Sequence, residues 1–174
     1  KKFYSEPFTL NEIPEEYISR NNGVMLISSG KIRQSNEGCA CTMNSILKQF
    51  IKHLTVGENE VVLLDMEAGV EHFGRGVDNS VDLILMIVDP SFESLKLTKK
   101  IQQLGDSIGK TVFFVLNKVN ELVLPTMLES IDDQSKVLAV ISTDTEIARK
   151  GLVGDELMME IPEIHMLARK ILKQ

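Results

Sequence analysis

The sequence has no tryptophan, and aromatic residues of all kinds make up only 5% of its 174 residues. That leaves little for the ring platforms on which single-stranded nucleic acid stacks. A basic surplus is missing too: 19 Lys and Arg stand against 25 Asp and Glu, for a formal net charge of -6. General nucleic-acid binding and electrostatic membrane anchoring both depend on excess Lys and Arg to attract phosphate, so neither is expected. Cysteine is scarce, with two residues, and a chain of this length needs no disulfide framework, since it can bury roughly two thirds of its unfolded surface. No apolar run approaches the ~18 residues of a membrane span, and Lys1–Glu6 has no signal-peptide core, so the expected location is the cytoplasm. An initiating Met is also absent.

What is present is a balanced globular composition, 43% hydrophobic and 25% charged. The apolar residues gather into short continuous runs: Val24–Ile27, Val61–Leu64, Leu83–Val88, Val112–Leu116 and Val137–Ile141. Continuous, Val- and Ile-rich runs read as strands covered on both faces, hence a mostly parallel sheet with helices on each side. The intervals of ~20 to 30 residues leave room for crossover helices. Met43, Ile46, Leu47, Phe50, Ile51 and Leu54 fall at helical spacing, with Gly57 as a stop. Ser91 can cap a helix carrying Leu97, Ile101, Leu104 and Ile108 and ended by Gly109. Pro162 suits the first turn of a last helix with Ile164, Leu167, Ala168, Ile171 and Leu172 on its apolar side. The first 22 residues read as loop or weak helix. Without repeats or linkers, residues 1–174 read as one α/β domain.

In open α/β sheets ligands bind beyond the carboxyl ends of the strands, so the first polar residue after each run is a site candidate. These are Asp65, Asp89, Asn117 and Ser142, with Asp144 close behind. Asp65 closes an apolar run and is followed four positions on by Gly69. A carboxylate there can hold Mg2+ through water, while the glycine lets the backbone approach a terminal phosphate; a plain strand-ending turn uses the same residues. Asn117 offers a donor and an acceptor to a purine edge, and is equally a common turn former. Gly69 to Gly76, with three glycines in eight residues, suits either a mobile nucleotide-sensing switch or an ordinary exposed loop. Cys39-Ala40-Cys41 can place two sulfurs on one ion, but a tetrahedral soft-metal site requires four ligands. A second copy of the chain across a two-fold axis supplies the other two; two reduced cysteines that merely pack are the other reading.

Three strings together carry a resemblance: Cys39-Ala40-Cys41-Thr42-Met43-Asn44, Asp65-Met66-Glu67-Ala68-Gly69-Val70-Glu71-His72-Phe73-Gly74-Arg75-Gly76, and Leu116-Asn117-Lys118-Val119. They are similar to the carbon monoxide dehydrogenase accessory proteins of the MinD/ParA-like P-loop superfamily, ATPases associated with maturing a nickel-containing active site. The resemblance runs from about Gly23 to the end and is most specific over the Asp65 to Gly76 string. It implies a P-loop NTPase architecture, ATP or ADP with Mg2+, a homodimer and carbon monoxide dehydrogenase as client. It also implies Asp65 as the Mg2+-associated carboxylate and Gly69 as the start of the phosphate-sensing switch. Asn117 and Lys118 would lie at adenine, Ser142, Thr143 and Asp144 would border the base, and Cys39 and Cys41 would bind Ni2+ or Zn2+ across the dimer.

The departures are informative. No Gly-x-x-x-x-Gly-Lys-Ser/Thr string is present. Gly105 to Thr111 places Gly and Lys just before a strand, whereas a phosphate loop follows a strand and opens a helix, so it is rejected as one. Ser142-Thr143-Asp144 lacks the proline frequent at the base-bordering loop. The expectation is therefore the carboxyl-terminal two thirds of such a domain, a piece of a longer protein without the amino-terminal strand, phosphate loop and first helix. The alternatives are a non-catalytic interaction module of the same fold, and a relative serving another client.

Overall fold

The computed structural model describes residues 6–28, 40–66, 70 and 80–173, and for 40–44 the backbone alone. The chain divides into two compact units, Lys1–Val81 and Asp82–Gln174.

In the first unit, β1 (Phe8–Thr9) pairs in parallel with β4 (Leu54–Thr55), in register Phe8 to Leu54 and Thr9 to Thr55. The Phe8 ring also meets that of Phe50, just ahead of β4, with centroids 5.1 Å apart at 59°. A capping box follows β1, in which the Glu12 carboxylate accepts from the Thr9 amide at 2.7 Å and from its hydroxyl at 2.9 Å. Next comes an antiparallel hairpin, β2 (Ile18–Asn21) against β3 (Val24–Ile27). Its two-residue turn is Asn22-Gly23, both at positive φ, 46° and 82°. The right-handed strand twist requires this primed turn, and Asn-Gly meets it with the least strain. Among its described residues the amino-terminal segment therefore carries two short strands where loop or weak helix is expected, while the 3-10 turns Leu10–Glu12 and Glu15–Tyr17 between them fit that expectation. Val24–Ile27 is a strand, but not a covered parallel one: Val24 and Leu26 are exposed, as on a hairpin with one face in solvent. Helix α1 spans Ala40–His53 and ends ahead of Gly57, because Leu54 leaves the helix to join β4. His53 lies on the helix face, its Nδ1 2.8 Å from the Gln49 carbonyl.

Val61–Leu64 is a correction to the sequence reading. It forms no strand, and Leu63 is 84% exposed. An apolar run becomes a strand only where a neighbour pairs its backbone, and the described residues supply no such neighbour.

The second unit is a parallel sheet in the order β5 (Leu83–Val88), β6 (Thr111–Val119), β7 (Val137–Ser142). The continuous apolarity of β6 has the anticipated cause, cover on both faces. Phe113 and Val115 pack with Leu138 of β7 and with Leu167 and Ile171 of the last helix. On the opposite face Val112 meets Gly105 of the crossover helix so closely that a Cβ there would lie 2.3 Å from Val112 Cγ2. Helix α2 (Phe92–Ser107) makes that crossover. Its Ser91 cap accepts from the Ser94 amide, and Gly109 beyond its end takes the left-handed φ of 67°. Gly105 to Lys110 therefore serves helix packing and the turn into β6, consistent with its rejection as a phosphate loop. Thr98, buried on α2, has its hydroxyl 2.7 Å from the Ser130 carbonyl, which ties α2 to the end of α3 (Leu124–Glu129). Helix α4 (Thr145–Val153) follows β7, and α5 (Pro162–Ile171) begins with the expected proline and lies on β7. The α/β class is as the apolar runs predict.

Candidate functional site

The carboxyl ends of the three parallel strands each end on polar residues, and the second unit brings several of them together. At the end of β5, Asp89 is fixed by the start of α2: its amide donates to Ser94 Oγ at 3.1 Å, and its carbonyl accepts from the Ser91 amide at 2.7 Å. Its carboxylate reaches across to β6. Oδ1 accepts from Asn117 Nδ2 at 2.9 Å, and Oδ2 takes the Lys118 ammonium at 2.5 Å. Both cross-links join residues that sequence separation alone keeps 28 and 29 positions apart.

The local reason lies in β6. Its ladder with β7 is in register at Leu116 to Val140, then shifts before Val119 pairs with Ser142. Asn117 and Lys118 occupy that irregularity, and Lys118 has φ 55°. A bulge re-aims side chains that a regular strand would send to opposite faces. Here it lets two successive residues serve one carboxylate. A non-glycine residue at positive φ is held there only by its surroundings, a pattern concentrated at functional sites. Beyond the bulge the Thr143 amide donates to the Val119 carbonyl at 2.8 Å, bringing the Ser142 to Asp144 loop to the end of β6. Asp144 has a structural task as well: its Oδ1 caps α4, accepting from the Glu146 and Ile147 amides at 2.7 and 2.9 Å.

Asn117, Lys118, Ser142, Thr143 and Asp144 thus lie at the ends of adjacent strands, where a ligand of an open sheet binds. Asp65, exposed, belongs to the first unit. Gly69 and Cys39 lie outside the described residues, and Cys41 falls on α1, where only the backbone is described. Among the described residues no three His, Cys, Asp or Glu side chains gather into a metal-binding group. No helix among them is long and apolar enough to cross a membrane. Asp89 is the residue whose site role residue order does not disclose. It ranks among the strand-ending polar residues, but its hold on Asn117 depends on the pairing of β5 with β6.

The fold and the polar strand ends are those of an α/β protein consistent with a P-loop NTPase-like architecture, and homologues across most of the chain include ATP-binding proteins. No family model matches the chain. It is 41% identical over 163 residues to an uncharacterized ATP-binding protein of Methanocaldococcus jannaschii, covering 94% of this chain and 65% of that one. With the carbon monoxide dehydrogenase accessory protein CooC of Rhodospirillum rubrum it shares 32% identity over 146 residues, 83% of this chain and 56% of the other. A second ATP-binding protein of Methanocaldococcus jannaschii is 29% identical over 164 residues, 90% of this chain and 64% of its own length. The chain therefore spans 56% to 65% of the length of these relatives.

Proposed function

We propose that the chain is part of an ATP-dependent accessory protein that supports nickel insertion into carbon monoxide dehydrogenase. The observation that carries the reading is Asn117, whose carboxamide is held at the carboxyl edge of a parallel sheet in a chain homologous to ATP-binding proteins. The residues fit a purine base: a fixed amide at the bulge, with the Ser142 to Asp144 loop drawn against the same strand end. In this reading Asn117 hydrogen-bonds the adenine edge, and Lys118, Ser142, Thr143 and Asp144 border it. Asp65 holds Mg2+ through water, which neutralises phosphate charge, and Gly69 opens the switch that senses the terminal phosphate. Residues 1–174 contribute to a single nucleotide-binding domain that acts in the cytoplasm. Two copies close as a homodimer, and Cys39 and Cys41 of each supply four thiolates to a transferred Ni2+ or Zn2+ ion.

Calorimetric titration with ATP and Mg2+ tests the nucleotide part. Binding that is lost in Asn117→Ala is expected, and no binding by the unaltered protein overturns the reading. Titration of the reduced protein with Ni2+ tests the metal part against the Cys39→Ser, Cys41→Ser double variant. Metal stoichiometry and dimerisation unchanged by loss of both sulfurs would sink the shared site. One feature favours a second reading, a non-catalytic interaction module of the same fold: the 174 residues contain no phosphate-loop string. Absence of ATP binding by the intact protein is its expected outcome.

A further inference from the structure

Asp89 sits outside the residues that the nucleotide reading uses, yet it holds two of them. A carboxylate only accepts hydrogen bonds, so the amide atom facing Asp89 Oδ1 at 2.9 Å has to be the Asn117 nitrogen and not its oxygen. The described residues give Asn117 Oδ1 no partner, so it stays available as an acceptor, with one Nδ2 hydrogen beside it. The second carboxylate oxygen is engaged by Lys118, so Asp89 cannot swing away without breaking an ion pair as well. Its backbone is pinned in turn by Ser91 and Ser94 at the start of α2. Without the carboxylate nothing among these contacts distinguishes the two ends of the carboxamide.

We infer that Asp89 is a positioning residue which locks the Asn117 carboxamide with its oxygen outward, and that this selects a purine carrying an exocyclic amine over a 6-oxo purine. The inference rests on the nucleotide reading. An amine donates to the outward oxygen. A 6-oxo purine presents an acceptor to that acceptor, and the amide cannot turn over to accommodate it. One hydrogen bond made or forfeited at a partly buried site corresponds to about a tenfold difference in affinity.

The test compares ATP with inosine triphosphate, which differs at the 6 position, in the unaltered protein and in the isosteric Asp89→Asn variant. An asparagine there can accept from or donate to Asn117, so both amide orientations become possible while the shape is kept. Thermal unfolding checks that the variant folds, and Asp89→Ala gives a second variant without either option. The expected result is about tenfold preference for ATP in the unaltered protein, falling to near parity in both variants. In ligand-free protein the Asn117 side-chain amide resonance, assigned by its disappearance in Asn117→Ala, is expected to move in Asp89→Asn. Equal affinities for the two nucleotides in the unaltered protein overturn this inference alone. So does a preference that survives the loss of Asp89, or equal weakening for both nucleotides, which is what a merely structural role predicts. An Asp89-dependent amide resonance in a protein that binds neither nucleotide overturns the nucleotide reading itself.

Discussion

At Lys118 the backbone takes φ 55° inside a strand, a conformation that puts the Cβ of any L residue close to its own carbonyl. The bulge and the contact with Asp89 hold it there. Lys118→Gly and Lys118→Ala both remove the ion pair, but only glycine removes the steric cost. The glycine variant is expected to be more stable than the alanine variant by about 1 kcal/mol in urea unfolding at equal slope. Equal midpoints would show that the backbone relaxes freely at this position. Asn117 was recognisable in the sequence as a polar residue ending an apolar run. The direction its amide faces was not, because that depends on a carboxylate 28 residues earlier on the neighbouring strand.

Among the elements, caps and turns were the most legible, since their physics is local. Ser91 before α2, Gly109 after it and Pro162 opening α5 each stand where their side chain or backbone freedom is needed. Asn22-Gly23 carries an equally local hairpin signal, which composition and apolar runs alone pass over. Another local device joins α3 to β7 through the 3-10 turn Gln134–Lys136. There Asp133 Oδ1 accepts from the Ser135 hydroxyl at 2.6 Å and from its amide at 3.0 Å. Those two bonds, with the nearby Lys136 charge, hold the Asp133 carboxyl below the ordinary aspartate range. A carboxyl lowered on folding favours the folded state in full above its unfolded value, and loses that contribution as the pH falls through the lower folded value. The melting-temperature difference between the protein and Asp133→Ala is therefore expected to be present at neutral pH and to shrink toward zero below about pH 4. A difference constant down to strongly acid pH would place the effect elsewhere.

At the scale of the whole molecule, stability concentrates where a strand is covered on both faces. Phe114, Leu116, Val112 and Val115 of β6 are all buried, and Phe114 is 1% exposed. Phe114→Ala is expected to destabilise the sheet of the second unit by about 3 kcal/mol, measured as lost hydrogen-exchange protection along β5, β6 and β7. Protection left intact there would mean that the cavity collapses without cost. The sequence by itself determined the α/β class, the three parallel strands Leu83 to Ile141 and the crossover helix capped by Ser91, because strands largely covered by their neighbours write themselves as continuous apolar runs. It also determined which residues end those strands. Only the tertiary structure decided that Val61–Leu64, an equally apolar run, stays outside a ladder, and that Val24–Ile27 turns back on its neighbour. The same holds for the grip of Asp89 on Asn117 and Lys118. Pairing and side-chain reach across strands depend on what lies alongside, which no single run of residues specifies.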